Sequence, residues 1–292
     1  MAQHKILSDF DGVWTNQGRE ADEIRRWIIE ESARVLDDDL EAVRAEVGGL
    51  RERMMTEPHA WGWAPDGRRI SAYVDEDPLC SPSALCMYIE HSGDAVAGRY
   101  RDAIRAEFET LAKFGEHCFR SAMVTYRDRH APAIVEDAAA QLQAVIDTGA
   151  EVVVVSNSDA SKIVAWFRGA GIDAGEGDGF ALRVRGSAGK QTLGETDESI
   201  EVGGRPIVVD RPLYRKAIDE ENPDVIIGDV FSLDLALPHV MRKAGIASAP
   251  SRLVLRSHPH TPQWVLQTRA EGAIDDVVDS FGALASLLAS SR

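Results

Sequence analysis

The sequence predicts an α/β fold, a Rossmann-like parallel sheet core with a mostly α-helical cap domain inserted after its first strand. Three observations carry that prediction. Short apolar segments at 5–10, 152–155 and 225–227 each run into turn-forming or polar residues, as strands of a buried sheet do. Helical patterns alternate with these segments through the second half of the chain, which argues for βα units and a parallel sheet. Between Asn16 and about His130 the alternation stops, and apolar residues recur at steps of three and four instead.

The first strand, 5–10, ends at the turn signal Asp11-Gly12. The second, 152–155, is apolar on both faces, as a central parallel strand should be, and ends in Ser156-Asn157-Ser158. Strands are also expected at 180–184, at 225–227 before Gly228-Asp229, and at 253–255. Helices are expected at 132–148, 161–168, 215–221 and 233–244. A hairpin is expected where 200–202 and 206–209 flank Gly203-Gly204-Arg205, the glycines supplying the turn. Inside the insertion, Leu40, Val43, Val47, Leu50 and Met54 mark one amphipathic helix, and Ile24, Trp27, Ile28 and Val35 mark another before it. A third long helix is expected at 99–123, with a loop-rich stretch at 59–82. The domain boundaries read as 1–15 with 131–292 for the core and 16–130 for the insertion.

Composition sets limits on function. The chain has 292 residues, enough for one large or two smaller domains, and 44% are hydrophobic, enough for a sizeable core. A formal net charge of −16 repels nucleic-acid backbone and anionic lipid, so neither is expected as a partner. A small anionic substrate would need a local cation to reverse the sign at its site. Cys80, Cys86 and Cys118 fit neither a disulfide framework nor a zinc pattern, and read as reduced thiols of a cytoplasmic protein. The opening Met-Ala-Gln-His-Lys lacks the apolar core of a signal peptide, and no apolar run approaches a membrane span.

The chemistry gathers at strand ends. Asp9 and Asp11 lie two apart at the end of the first strand and project to the same side. Two crowded carboxylates repel, and a shared proton or a metal ion relieves them. Alone, such a pair reads first as an acidic strand-to-loop turn. Ser156 and Asn157, at the end of the second strand, offer a hydroxyl and helix-entering N–H groups to a phosphate, although Asp159 or Ser156 also reads as a helix cap. Asp229 ends a later strand and Asp234 follows five residues on. Magnesium takes one or two carboxylates with water and substrate phosphate, so Asp229 completes a possible Mg2+ site and Asp234 orients a ligand or water from behind. In an open parallel sheet, ligands bind at the carboxyl ends of strands near the topological switch point. All of these groups occupy such ends.

Asp9-Phe10-Asp11-Gly12-Val13-Trp14-Thr15, then 152–156, then Gly228-Asp229 with Asp234, resembles the ordered motifs of the haloacid-dehalogenase-like (HAD) hydrolase superfamily. The insertion occupies that superfamily's cap position. The resemblance implies a magnesium-dependent phosphohydrolase acting on a small phosphorylated metabolite through an aspartyl-phosphate. It makes Asp9 the nucleophile and Asp11 the acid that protonates the leaving oxygen and then takes a proton from water. Ser156 would hold a phosphoryl oxygen, with Asn157 beside it. Asp9, the Asp11 backbone carbonyl and Asp229 would bind Mg2+, with Asp234 at the same site. The superfamily's basic residue falls on Lys190 in preference to Arg211, with Lys216 further along as a solvated residue. A phosphotransferase or mutase would use the same groups. Dehalogenases of the superfamily typically lack the second acidic residue, here Asp11, and a non-catalytic protein retaining the fold would be expected to have lost an aspartate.

The remaining singular residues carry less. His258 and His260 could share a face as metal ligands, but Pro259 and Pro262 make an exposed turn the simpler reading. Trp61 and Trp63 read as core, or as the lining of a substrate pocket. The run Asp37-Asp38-Asp39 reads as solvated capping, and His117-Cys118 as core packing. Oligomeric state has no signature in the sequence.

Overall fold

The computed structural model describes residues 4–131 and 134–290. The chain divides into two compact units, Met1–Asn16 with Pro132–Arg292, and Gln17–Ala131. Strand β1 (His4–Ser8) opens the first unit. The second unit contains α1 (Gly18–Leu36), α2 (Leu40–Met54), β2 (Gly62–Trp63), β3 (Ala72–Tyr73), α3 (Cys80–His91), α4 (Ala95–Phe108) and α5 (Leu111–Arg129). The first unit then resumes with α6 (Ala138–Ile146), β4 (Ala150–Val155), α7 (Ala160–Gly169), β5 (Ala174–Gly175), β6 (Leu182–Arg185), β7 (Ser199–Val202) and β8 (Arg205–Val208). It closes with α8 (Pro212–Glu221), β9 (Val225–Gly228), α9 (Ala236–Lys243), β10 (Arg252–Arg256), α10 (Gln263–Gln267), β11 (Asp276–Val278) and α11 (Leu284–Ala289).

The first unit is built on a seven-stranded sheet in the order β11-β10-β9-β1-β4-β6-β5, parallel throughout. Strand β1 lies near its centre, and Ile6 and Leu7 on its opposite faces are both fully buried. Burial on both faces is why β4 reads as an unbroken apolar run rather than an alternating one. Strands earlier in the chain order lie to one side of β1 and β9 lies to the other, so the switch point falls there. Register then aligns the motifs. Ser8 stands opposite Val154 on one side and Ile227 on the other, so Asp9, Ser156 and Asp229 leave the same edge at nearly the same level. The Asp9 N–H donates to the Ile227 carbonyl (2.9 Å), carrying the pairing one residue past the strand.

The turn after β1 is clamped by aromatic packing. Trp14 meets Phe167 edge-on (5.3 Å) and Phe281 (4.1 Å), and Phe10 meets Phe167 (5.3 Å). The Trp14 indole N–H donates to Ser8 Oγ (2.9 Å), satisfying its buried polar tip. Where the chain leaves and re-enters the first unit, Thr15 bridges Ile134, and the Val135 N–H donates to the Trp14 carbonyl (2.8 Å). The helix expected from 132 therefore begins only at Ala138; Pro132 and Ala133, where that expectation started, lie outside the described residues, as do Met1, Ala2 and Gln3.

The second unit buries Ile24, Ile28, Val43, Val47, Leu50 and Met54 in one core with the apolar faces of α3, α4 and α5. The single helix expected at 99–123 is two. Glu109 takes a positive φ of 67° and Thr110 caps the N-terminus of α5 by accepting from the Lys113 N–H, which breaks the run. The loop-rich stretch at 59–82 holds β2, β3 and the start of α3. Trp61 and Trp63 pack against the helical core, Trp61 edge-on to Tyr88 (4.9 Å). Asp37 ends α1 in a left-handed conformation and Asp39 caps α2, accepting from the Glu41 and Ala42 N–H groups. His117 departs from expectation: its side chain is 45% exposed, beside Glu31, while Cys118 is buried. All three cysteines are buried and free, and burial pushes the Cys86 thiol up to about 12. No helix among the described residues is long and apolar enough to cross a membrane.

One buried group makes stability depend on pH. His239 on α9 is only 4% exposed, and burial, with Lys243 and Arg242 nearby, pushes it down to about 4 from about 6.5. It is therefore neutral in the fold, and the unfolded chain binds the extra proton between those values. Stability should fall as pH drops from about 6.5 to about 4. Denaturant titration of the wild type and His239→Gln at pH 7 and pH 5 checks this: the variant should lose less of its midpoint on acidification, and an equal loss would contradict it.

Candidate active site

Asp9 occupies the carboxyl edge of the sheet and is 9% exposed. Lys190 reaches it from the loop after β6, its Nζ donating to Asp9 Oδ1 (2.7 Å) and to Asp234 Oδ1 (2.8 Å). Asp9 Oδ2 accepts no hydrogen bond among the described residues. Burial pushes the Asp9 carboxyl up from the usual carboxylate range; Lys190 works against this, and Asp234 and Asp11 add to it. Burial alone would lower the Lys190 ammonium, but Asp234 and Asp9 hold its proton and raise it.

The loop that delivers Lys190 is tied down by residues expected to bind substrate. Asn157 Oδ1 accepts from the Lys190 backbone N–H (2.7 Å). Arg211 is buried, and its Nη1 donates to the Lys190 carbonyl (2.6 Å) and its Nε to the Val208 carbonyl (3.1 Å). Through these atoms both residues brace the lysine loop. Lys216 lies out on α8, paired with Glu220 at 3.7 Å. Tyr214, which the sequence reading passed over, donates its hydroxyl to the Asp234 carbonyl (2.9 Å) beneath the lysine.

Asp11 turns toward the end of β4. Its Oδ2 accepts from Ser156 Oγ (3.3 Å) and from Ser158 Oγ (2.8 Å), and its Oδ1 lies 3.6 Å from Lys162 Nζ. Ser158 and Lys162 were missed. The signal for Ser158 was its spacing of two from Ser156, and that for Lys162 was its place one helical turn beyond Ser158. Asp159 takes the capping role at α7, accepting from the Ser161 N–H (2.8 Å), while Ser156 Oγ accepts from the Ser158 N–H (3.0 Å) and both hydroxyls face Asp11.

Asp229 and Asp234 follow β9. The chain there makes a single π turn, Phe231–Leu235, a form that recurs at functional sites. Asp234 Oδ2 accepts from the Val230 N–H (3.1 Å), so with Lys190 on Oδ1 both its oxygens are engaged by protein. Gly228 makes room for it: a Cβ there would stand 2.3 Å from that of Asp234. Gly12, at φ +81°, opens the same kind of space for Asp229, since a Cβ would lie 1.9 Å from Asp229 Oδ2. Asp9, Asp229 and Asp234 bring one oxygen each within 4.8 Å of one another, all buried. One ammonium among three such carboxylates leaves negative charge uncompensated, and the donors are hard oxygens. That set fits a divalent cation. Asp234 is engaged by Lys190 and Val230 on both oxygens, and the Asp11 side chain faces the serines.

His258 overturns its reading as an exposed turn. Its side chain is 16% exposed and its Nε2 lies 3.6 Å from Asp229 Oδ2. It lies just past the end of β10, the strand beside β9, while Pro259 and His260 after it form an exposed turn. Burial, with Arg256 and His260 nearby, pushes the imidazole down to about 4, while the Gly12 backbone favours its protonated form, so the ring is neutral at pH 7.

No protein-family model matches this chain, and no curated protein matches it. Solved structures do. A 2-haloacid dehalogenase from Pseudomonas syringae is 16% identical over 99% of both chains, with a TM-score of 0.46. The HAD-hydrolase-like YfnB of Bacillus subtilis, in a magnesium-bound form, is 11% identical over 99% of both chains, with a TM-score of 0.44. CbbY from Rhodobacter sphaeroides, in complex with phosphate, is 14% identical over 97% of this chain and 96% of its own, with a TM-score of 0.42.

The Gly12 cradle is directly testable. In Gly12→Ala the new methyl must displace the Asp229 carboxylate, and the left-handed conformation costs a further 1–2 kcal/mol, roughly. Added Mg2+ should raise the melting temperature of the wild type, and the variant should fold with a modestly lower melting temperature and lose most of that rise. Undiminished stabilisation by Mg2+ would contradict the placement of Asp229.

Proposed function

We propose that this chain is a magnesium-dependent phosphohydrolase that transfers the phosphoryl group of a small phosphorylated metabolite to Asp9 and then to water. The observation that carries the reading is the Asp9 carboxylate itself. It is buried at the switch point, held through Oδ1 by Lys190, and leaves Oδ2 unengaged as a nucleophile.

In the first step Asp9 Oδ2 attacks phosphorus as the bond to the leaving oxygen breaks, and Asp11 gives that oxygen its proton. In the second, water attacks the aspartyl-phosphate, its proton passes to Asp11, and Asp9 returns as carboxylate with release of inorganic phosphate. The Ser156 and Ser158 hydroxyls, which donate to Asp11, are placed to donate to phosphoryl oxygens instead. Lys190 offers its charge to the same oxygens and is oriented for this by Asp234. Magnesium held by Asp9, Asp229 and the Asp11 backbone carbonyl would offset the negative charge that carboxylates and phosphate bring together. Asn157 and Arg211 act through Lys190, not on substrate.

A phosphotransferase would use the same groups, with a sugar hydroxyl in place of water. Dehalogenation gains no support from a site in which Asp11 is held by two hydroxyls and has a leaving oxygen to protonate. The helical unit, inserted between β1 and β4, is proposed as the cap that supplies specificity contacts.

Asp9→Asn should abolish Mg2+-dependent turnover of an aryl phosphate, by roughly 1,000-fold or more, because an amide is a poor nucleophile. Asp11→Asn should slow substrates with poor leaving groups far more than activated aryl phosphates. Steady-state rates across leaving groups of graded pKa check both. Full turnover by Asp9→Asn would refute the mechanism, and a uniform loss in Asp11→Asn would refute its acid role.

A further inference from the structure

Lys162 is a buried cation to which the steps above give no part. It stands in the first turn of α7 and is 8% exposed. Its Nζ lies 3.6 Å from Asp11 Oδ1 and 3.5 Å from Ser158 Oγ. A buried ammonium is costly unless an opposite charge stands close, and Asp11 supplies one. Asp11 Oδ1 is itself buried and accepts no hydrogen bond among the described residues. The two oxygens of Asp11 are thus treated differently: Oδ2 accepts from the Ser156 and Ser158 hydroxyls, and Oδ1 faces the lysine.

Both ends of this lysine are restrained. Its Nζ sits over the Trp166 ring, 4.7 Å from the centroid, a favourable place for a cation. Trp166 in turn meets Phe10 edge-on at 5.9 Å, and Phe10 lies between Asp9 and Asp11. The platform under the ammonium is therefore packed against the segment that carries both aspartates. At the backbone end, the Ser187 N–H donates to the Ser158 carbonyl (2.9 Å) just before α7. Gly186 lets the two segments approach closely, since a Cβ there would stand 2.2 Å from the Ala160 nitrogen.

We propose that Lys162 is a positioning residue that keeps Asp11 aimed at the leaving oxygen when Ser156 and Ser158 turn to the phosphoryl group. This rests on the reading above of Asp11 as the acid and base. A phosphoryl group that takes the serine hydroxyls removes the hydrogen bonds that hold Asp11 Oδ2. An acid that then swings freely is a poor one, because proton transfer needs the donor within hydrogen-bond reach. Lys162 acts on the other oxygen, so it orients the carboxyl whether or not Oδ2 carries the proton. It gives up no proton itself: Oδ2 protonates the leaving oxygen and recovers a proton from the attacking water.

Steady-state kinetics of the full-length protein with Mg2+ and phosphate esters of graded leaving-group pKa test this. Lys162→Met keeps the apolar stem without the charge. It should lower kcat about 10-fold or more for poor leaving groups and far less for activated aryl phosphates. KM should change by less than about 3-fold, because the lysine does not act on substrate. In an Asp11→Asn background, with an ester of intermediate leaving-group pKa, the same substitution should cost nothing further. Lys162→Arg, which keeps a cation beside Trp166, should recover the leaving-group dependence of the wild type. Unchanged kinetics in Lys162→Met, a loss equal across leaving groups, or a loss that persists in Asp11→Asn would overturn the role of Lys162 and leave the proposed function standing. A loss borne by KM would also overturn it, by making the lysine a substrate ligand. If Lys162→Met does not fold, Lys162→Gln is read by the same cycle. A wild type that turns over no ester in the series would overturn the proposed function, and the role of Lys162 with it.

Discussion

The site depends on one buried ammonium. Lys190 is 1% exposed and bridges Asp9 and Asp234 at hydrogen-bond distance. Burying a charge is costly unless it is paired and hydrogen-bonded, and burying several carboxylates together costs more still. The lysine makes the cluster tolerable without neutralising it. What remains is a pocket of negative charge with hard donors, which favours a cation, and a carboxylate held on one oxygen only, which favours attack by the other. Asn157, Arg211 and Tyr214 then have a common purpose. They fix the backbone and partners of Lys190, since a long flexible side chain is useful here only if both ends are restrained.

The parallel sheet makes this convergence possible. Asp9, Ser156, Lys190 and Asp229 are far apart in sequence, yet the strands that carry them end on one edge. The register of β1 against β4 and β9 levels those ends, and the aromatic clamp around Trp14 holds the turn that follows β1. Glycine does the fine positioning at two points, Gly12 and Gly228, where any Cβ would occupy the space of a carboxylate.

Much of this was legible in the residues, and for identifiable reasons. Apolar runs ending in polar residues are a local signal, so the main strands and the aspartates at their ends could be read directly. Strands β5 and β11 have two and three residues, too short for a period to register. The break between α4 and α5 turned on a positive φ at Glu109, which its side chain does not announce. That Asn157 and Arg211 also brace the backbone around Lys190 was not legible, because sequence reports polarity near a motif, not which atom a hydrogen bond is spent on. His258 was read as an exposed turn because its prolines describe the loop, while its burial comes from the neighbouring strand, a tertiary fact. Ser158 and Lys162 had spacing in their favour but no meaning until Asp11 was seen turned toward them.

The central claim is that Asp9 carries the phosphoryl group between substrate and water. Rapid quench of the wild type turning over an aryl phosphate with Mg2+, followed by borohydride reduction and peptide mass mapping, tests it most directly, because borohydride converts an acyl phosphate to the corresponding alcohol. The account predicts homoserine at Asp9 and nowhere else, appearing only with substrate present. Steady turnover with Asp9 unmodified, or the label at another carboxylate, would contradict it.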